Sequence, residues 1–306
     1  MDLRRIVICA VGAPLLLGAA AEPMRLQPQG PWDVDYAESS CRLIRTFGEG
    51  ETQTKLGFES TGPDSMDMLV VGKPLRTSAE QASARFLPVG SKSFEGMVVT
   101  AVGSGDPAVL WSSVPMLPAS PLAQVEREQE EQRRNPGVRP PAVSVAEQEL
   151  RHTQRQQFAD AVTELKIETS RHSALILETG SLGKALAAFD KCSRDSLKDW
   201  GVDPAVDEKI VRPPWALNPA TWLSSNDYPN DMLMNGKESN VDVRLLVDAA
   251  GKITKCTSLS HFAEEEFNRI TCDKLSRRAR LEPAELADGT KVPSYYIFLV
   301  KFRIAH

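Results

Sequence analysis

The segment VDVRLLVDAAGKITKCTSL, Val241 to Leu259, decides how the chain is read. Val241, Val243, Leu245 and Val247 alternate strictly with Asp242, Arg244 and Leu246, the two-residue period of a strand with one buried face. Asp248-Ala249-Ala250-Gly251 supplies turn residues, so Lys252 to Leu259 returns as a hairpin partner. A helix is expected next, from about Ala263 to Arg280, with Phe267, Ile270 and Leu275 inward and Cys272 near the margin. Arg277, Arg278 and Arg280 fall in its last turn, where cations favour the negative end of the helix dipole. Asp288-Gly289 turns the chain, and Tyr295 to Ile304 reads as a long final strand. The order is β-β-α-β, a small α+β unit.

Immediately before this unit lies RPPWALNPATW, residues 212–222, with three prolines. Such composition makes a stiff, extended linker, so the expected division is 22–211, a linker at 212–222, and a C-terminal domain at 223–306. The first domain is expected to be α+β and rich in strands. Cys41 to Thr46, Met66 to Val71 and Met97 to Val102 are short apolar or alternating runs bounded by Gly, Pro and Asp. Pro115, Pro118 and Pro121 end that stretch. Residues 122–134 (LAQVEREQEEQRR) have little apolar periodicity and read as a solvated helix. Asn135-Pro136-Gly137 breaks it, and Pro140-Pro141 holds the next residues extended. Ser144 and Glu147 form a capping box that opens a second polar helix, to about Ala161. Val162 to Ile167 and Ala174 to Leu177 are strand candidates. Ser181 can then cap a helix in which Leu182, Ala185, Leu186, Phe189, Cys192 and Leu197 recur at helical spacing, closed by Trp200 and Gly201. No internal repeat links the two halves.

Residues 1–21 carry Arg4 and Arg5, an almost wholly apolar run from Ile6 to Ala21, and Ala19-Ala20-Ala21 before Glu22. That is the pattern of a cleaved secretory signal peptide. The run falls short of the roughly 20 residues of a spanning helix. An uncleaved inner-membrane anchor facing the periplasm is the alternative. Removing Asp2, Arg4 and Arg5 takes the formal charge from −5 to −6, which argues against a general polyanion binder. Beyond Cys9, four cysteines remain: Cys41, Cys192, Cys256 and Cys272. An even number in an exported chain reads as disulfides, with three pairings open. Sequence order favours Cys256 with Cys272, and Cys41 with Cys192.

Signatures of catalysis and cofactor binding are largely missing. The chain contains no G-x-S-x-G, H-E-x-x-H, G-x-G-x-x-G or phosphate-binding loop. His152, His172, His261 and His306 are scattered without metal-ligand spacing. Asp33 and Asp35 lack the rest of a calcium loop. Ser181-Leu182-Gly183-Lys184 is an S-x-x-K at a helix start, as in penicillin-recognising serine enzymes, with Tyr228 and Asn230 downstream. The strand-borne K-T-G of those enzymes is absent, and so is room for their helical domain. The expectation is therefore no enzyme, no cofactor, no metal site and no nucleic-acid partner.

The C-terminal residues also carry a family pattern. Tyr228-Pro229, Gly236, Val241-x-Val243, Leu246-Val247-Asp248, Gly251-Lys252-Ile253, Pro283-Ala284, Asp288-Gly289 and Val292 follow one another as in the TonB C-terminal domain, which this segment resembles from about residue 222 to 306. Ser239 stands where many members have glycine. Cys256 and Cys272 look similar to the pair of a disulfide-bearing subset. The resemblance implies a periplasmic, non-enzymatic protein-binding or adaptor module that grips a segment of an outer-membrane receptor by strand addition. Its candidate edge is Tyr295, Tyr296, Ile297, Phe298, Leu299, Val300, Lys301 and Phe302, through which a homodimer can also form. Inward packing of Tyr296, Phe298, Val300 and Phe302 against the helix is compatible with that role. An inner-membrane-anchored energy transducer is the alternative. Residues 1–22 lack the Ser and His of a transducer's anchor, however, and the two proline clusters are short for a periplasmic spacer. A penicillin-recognising-type serine enzyme using Ser181 and Lys184 is the least favoured reading.

Overall fold

The computed structural model describes residues 22–37, 40–63, 65–88, 92–100, 104–135, 137–170, 173–259 and 263–304. The segment read as a signal peptide lies outside the described residues, as do Val102, Pro136, His172, His261 and His306. The fold is α+β, as expected.

The first half is built on one large sheet. Its strands are β1 (Met24–Leu26), β2 (Pro28–Tyr36), β3 (Cys41–Phe47), β4 (Thr54–Ser60), β5 (Asp67–Gly72), β6 (Gln81–Leu87), β7 (Phe94–Thr100), β8 (Pro107–Trp111), β9 (Glu164–Ser170) and β10 (Ser173–Leu177). Their spatial order is β1-β10-β9-β6-β7-β8-β5-β4-β3-β2. The two strands at the ends of that order are consecutive in the chain, separated only by Gln27. One extended run therefore supplies both edges, and the sheet closes on itself as a barrel, which removes exposed edges. Alternation decides what fills it. Leu43 and Phe47, Leu56 and Phe58, Met68 and Val70, Ala84 and Phe86, Leu165 and Ile167 are buried in one core. Helices α1 (Ala119–Arg134) and α2 (Val145–Ala161) lie between β8 and β9, and α3 (Gly183–Trp200) follows β10. Leu186, Phe189 and Cys192 of α3 join the barrel core, and Phe158 of α2 meets Phe86 edge-on at 6.1 Å.

Helix starts follow local chemistry in one case and packing in another. Ser144 accepts the Glu147 N–H at 3.2 Å and caps α2. For α3 the expected Ser181 cap is displaced: Leu182 is the N-cap residue, and Ser181 Oγ accepts only the Gly183 N–H, at 3.4 Å. Leu182 is fully buried and donates its N–H to the Ala159 carbonyl, so contact with α2 sets where the helix begins.

The stretch rich in proline is woven into the C-terminal half. After α4 (Pro204–Asp207), β11 (Ile210–Arg212) and β12 (Trp215–Ala216) are followed by α5 (Asn230–Met234), β13 (Ser239–Val247), β14 (Ile253–Ser258) and α6 (Glu265–Arg278). The chain ends with β15 (Leu281–Glu282), β16 (Ala284–Leu286), β17 (Lys291–Val292) and β18 (Ser294–Phe302). β11 pairs with β16 and β12 with β15, both antiparallel. The helix is shorter than the expected 263–280 because Arg280 leaves it to accept the Leu217 N–H. The main sheet has the order β14-β13-β18. Val241, Val243, Leu245 and Val247 face α6 and form a second core with Phe267, Leu275 and Trp222. Gly251, in the β13–β14 turn, has φ +80°, and a Cβ there would lie 2.0 Å from the Leu281 carbonyl oxygen. Only glycine fits both demands.

Two disulfides are present. Cys41–Cys192 ties β3 to α3, and Cys256–Cys272 ties β14 to α6. Arg139, between α1 and α2, reaches the C-terminal half, with Nη1 on Glu282 at 2.8 Å and Nη2 donating to the carbonyls of Pro213 and Pro283.

Candidate functional site

The final strand is the place to look, because β18 pairs with β13 on one side and has no paired strand on the other among the described residues. Its orientation follows from one hydrogen bond. Asp242 O accepts the Leu259 N–H at 2.8 Å, so the even residues of β13 direct their backbone groups to β14 and the odd ones to β18. In the β13–β18 register, Val241 faces Val300 and Val243 faces Phe298. The backbone groups of Phe298 and Val300 are thus used within the sheet, while those of Ile297, Leu299 and Lys301 point away from it. Such an edge accepts an added strand.

The two faces of β18 have different jobs. Tyr296, Phe298, Val300 and Phe302 pack into the C-terminal core. Phe302 lies 4.6 Å from Phe267 and 5.5 Å from Tyr228, and Phe298 lies 5.0 Å from Trp222 (ring centroids). On the opposite face, Tyr295, Ile297, Leu299 and Lys301 form a row, in which Leu299 is 41% exposed and Lys301 is exposed. β18 ends at Phe302 rather than Ile304, because the Ile304 N–H turns to the Glu238 carboxylate at 2.7 Å.

That opposite face also meets the first half of the chain. Arg244 is 4% exposed, with its guanidinium 3.4 Å from the centre of the Trp200 ring at the end of α3. Its Nη1 donates to the Thr61 carbonyl at 3.3 Å. Burial pushes this guanidinium down to about 10, with the Tyr295 phenol acting in the opposite sense, so it stays a cation at neutral pH. Tyr295 packs edge-on to Trp200 at 5.5 Å and donates its hydroxyl to the Pro63 carbonyl. Asp242 and Asp67 are both raised by burial, Asp67 also by the neighbouring Asp242 and Glu59 charges. The alternation of β13 left Arg244 and Asp242 as polar positions on a solvent face. Nothing local in the sequence announces that Trp200 covers one of them.

A buried carboxylate, Asp227, anchors the loop before α5 through two partly exposed cations. Asp227 receives Arg278 Nη1 at 2.7 Å, Lys274 Nζ at 3.2 Å and the Ser224 N–H at 2.9 Å. Burial works against its ionised form, but these donors outweigh it and hold the carboxyl well below the usual carboxylate range. A carboxyl lowered on folding adds stability above its unfolded value, and that stability is lost as pH falls through the folded one. The C-terminal half is therefore expected to lose melting temperature progressively below about pH 4. Asp227→Asn is expected to flatten that acid dependence, as checked by thermal melts from neutral to acid pH.

The remaining candidates are not brought together. Ser181 and Lys184 are exposed, and Ser181 accepts the Gly183 N–H at its own helix start. Asp33 and Asp35 are exposed on β2. No group of three or more His, Cys, Asp or Glu side chains that could hold a metal occurs among the described residues. An open cavity of about 370 Å³ is lined by Gln27, Arg45, Glu164 and Glu178, and Arg25 pairs with both of those carboxylates.

Residues 224–304 match the family described as Gram-negative bacterial TonB protein C-terminal. The end of this chain is a TonB C-terminal domain. The match covers 81 of 306 residues, and it contains β13, β14, α6 and the open strand β18. No curated protein matches the chain. Domains of this family are non-enzymatic interaction modules that engage outer-membrane receptors. Residues 224–304 thus share the domain of TonB-like proteins of transport energy transduction or receptor interaction. No helix among the described residues is long and apolar enough to cross a membrane.

Proposed function

We propose that this chain is a periplasmic adaptor whose TonB C-terminal domain, residues 223–306, binds an extended protein segment by strand addition to β18. The partner in this reading is the N-terminal region of an outer-membrane receptor. Residues 1–21 act as a cleaved signal peptide, 22–211 form a separate first domain, and 212–222 join the two. The observation that supports this most is the free outer side of β18, where the backbone groups of Ile297, Leu299 and Lys301 have no strand beside them in the sheet. Backbone pairing needs no catalytic side chains.

A proline on the outward side tests the reading cleanly. Leu299→Pro removes an N–H that points away from β13 and leaves the β13–β18 ladder intact, a position where strands tolerate proline. Peptides copied from the N-terminal segments of outer-membrane receptors of the source bacterium are expected to bind the full chain and to protect the Ile297, Leu299 and Lys301 amides from exchange. Leu299→Pro is expected to weaken that binding about tenfold or more, equivalent to about 1.4 kcal/mol, with an unchanged circular dichroism spectrum. Equal binding by the variant, or protection elsewhere, would remove β18 as the site.

A further inference from the structure

The face of β18 that carries Tyr295, Ile297, Leu299 and Lys301 is not equally open along its length. At one end Tyr295 is held by the first domain, through Trp200 and the Pro63 carbonyl. A Cβ built on Gly62 would lie 2.9 Å from the Tyr295 ring, so this end is tightly packed. Toward the other end, Leu299 is 41% exposed and Lys301 is exposed.

We propose that the first domain is part of the recognition site, selecting the side chains of an extended protein segment added to β18. This inference rests on the strand-addition reading above and specifies what the added segment must carry. A strand beside β18 lies about 4.8 Å away, and its alternate side chains stand next to those of β18 on the same face. The residue opposite Tyr295 meets a ring held edge-on by Trp200 and packed closely against Gly62 and Pro63. It must be small. The residues opposite Ile297 and Leu299 meet half-buried and exposed aliphatic surface, and apolar side chains there remove it from water. Lys301 carries no ion pair among the described residues, so the residue opposite it is acidic. The occupant is a strand with a small, an apolar, an apolar and an acidic residue at successive alternate positions.

The register also gives the first domain a mechanical role. Arg244 is opposite Ile297, and the Trp200 platform beneath Arg244 and Tyr295 prevents this end of the sheet from tilting away to admit a bulkier side chain. Selection therefore depends on contact between two halves of the chain that have separate cores.

The probes are fluorescein-labelled synthetic peptides with the core Ala-Thr-Val-Thr-Val-Thr-Glu, the same core with Phe for Ala, the same core with Lys for Glu, and each sequence reversed to cover both strand directions. Affinity for the full chain is read by anisotropy and location by amide exchange. One direction of the parent peptide is expected to protect the Ile297, Leu299 and Lys301 amides and to bind about tenfold tighter than its Phe and Lys versions, the size of one good cross-strand contact difference. Trp200→Ala is expected to bring the Phe version within about twofold of the parent, while the preference for Glu over Lys persists. Protection of β18 with equal affinity for the Ala and Phe peptides would overturn the role of the first domain and leave strand addition standing. Failure of every peptide to protect β18 would overturn strand addition itself. Protection of β18 that appears without peptide and grows with protein concentration would make a second copy of this chain the occupant, against the proposal.

Discussion

Replacing Cys41 and Cys192 by alanine is expected to lower the unfolding free energy of the barrel half by about 4–5 kcal/mol. The bridge joins positions 151 residues apart. In the chain-entropy account a closed loop of about 100 residues contributes near 4.7 kcal/mol, and the logarithm makes a longer loop only slightly more. Both residues are buried, at 1% and 0% exposure, so the variant also forfeits packing around the sulfurs. The Cys256–Cys272 bridge spans 16 positions and is expected to contribute about 3 kcal/mol. It lies at the margin of its core, so little packing is added to that figure. The measurement is urea unfolding of the two double-alanine variants beside the parent, followed by tryptophan fluorescence. A larger loss from the shorter loop would mean that strain or residual structure, rather than loop closure, governs these bridges. Loss of Cys41–Cys192 has a further consequence. It frees one side of α3, the helix that ends in Trp200, so Arg244 and Tyr295 lose a fixed platform.

How much of this was legible beforehand differs sharply between the halves. In the C-terminal domain the alternation Val241-Val243-Leu245-Val247, the Asp248 to Gly251 turn and the apolar spacing of Phe267 and Leu275 each specify one element, and the β13–β14 hairpin pairs sequence neighbours. Those elements and the final strand follow in the expected order, but the short strands β15, β16 and β17 stand between α6 and β18, and β18 pairs back to β13 across all of them. The barrel is different. Its strands were visible as short runs, but β6 pairs with β9 across the whole α1–α2 excursion, and β1 and β2 part company at Gln27 to close opposite sides. Such pairings are set by the global closure of the sheet and leave no mark on a window of residues. The candidate site divides in the same way. Tyr295 to Phe302 could be read as a strand, and the register with β13 then determines which amides face outward. The contact of Arg244 with Trp200 joins residues far apart in sequence, and each looks ordinary in its own segment. The proline-rich stretch 212–222 is a related case. Proline content argues for an extended chain, and β11 and β12 are extended, but composition does not say that they pair with β16 and β15.

Phe267→Ala is expected to destabilise the C-terminal half by about 3–5 kcal/mol, the usual range for emptying a buried phenylalanine site. Phe267 is fully buried on α6 and sits in a triangle of rings with Phe302 at 4.6 Å and Tyr228 at 5.7 Å. Tyr228 meets Phe302 at 90°, so the other two rings already brace each other and cannot both collapse into the space. The loss should therefore fall toward the upper part of the range. Phe267→Leu, which keeps most of the volume, is expected to cost about 1.5 kcal/mol or less. Because Phe302 is the last residue of β18, the Ala variant should also loosen the open strand and weaken partner binding in step with stability. That separates it from Leu299→Pro, in which binding alone is expected to fall. Fluorescence of Trp222 reports the C-terminal core, and Trp32 and Trp111 report the barrel. If the Arg244–Trp200 contact couples the two cores, Phe267→Ala will shift the barrel transition as well, and Trp200→Ala will uncouple them. An unshifted barrel transition in the Phe267→Ala protein would mean that the interface holds the two halves in register without sharing their stability.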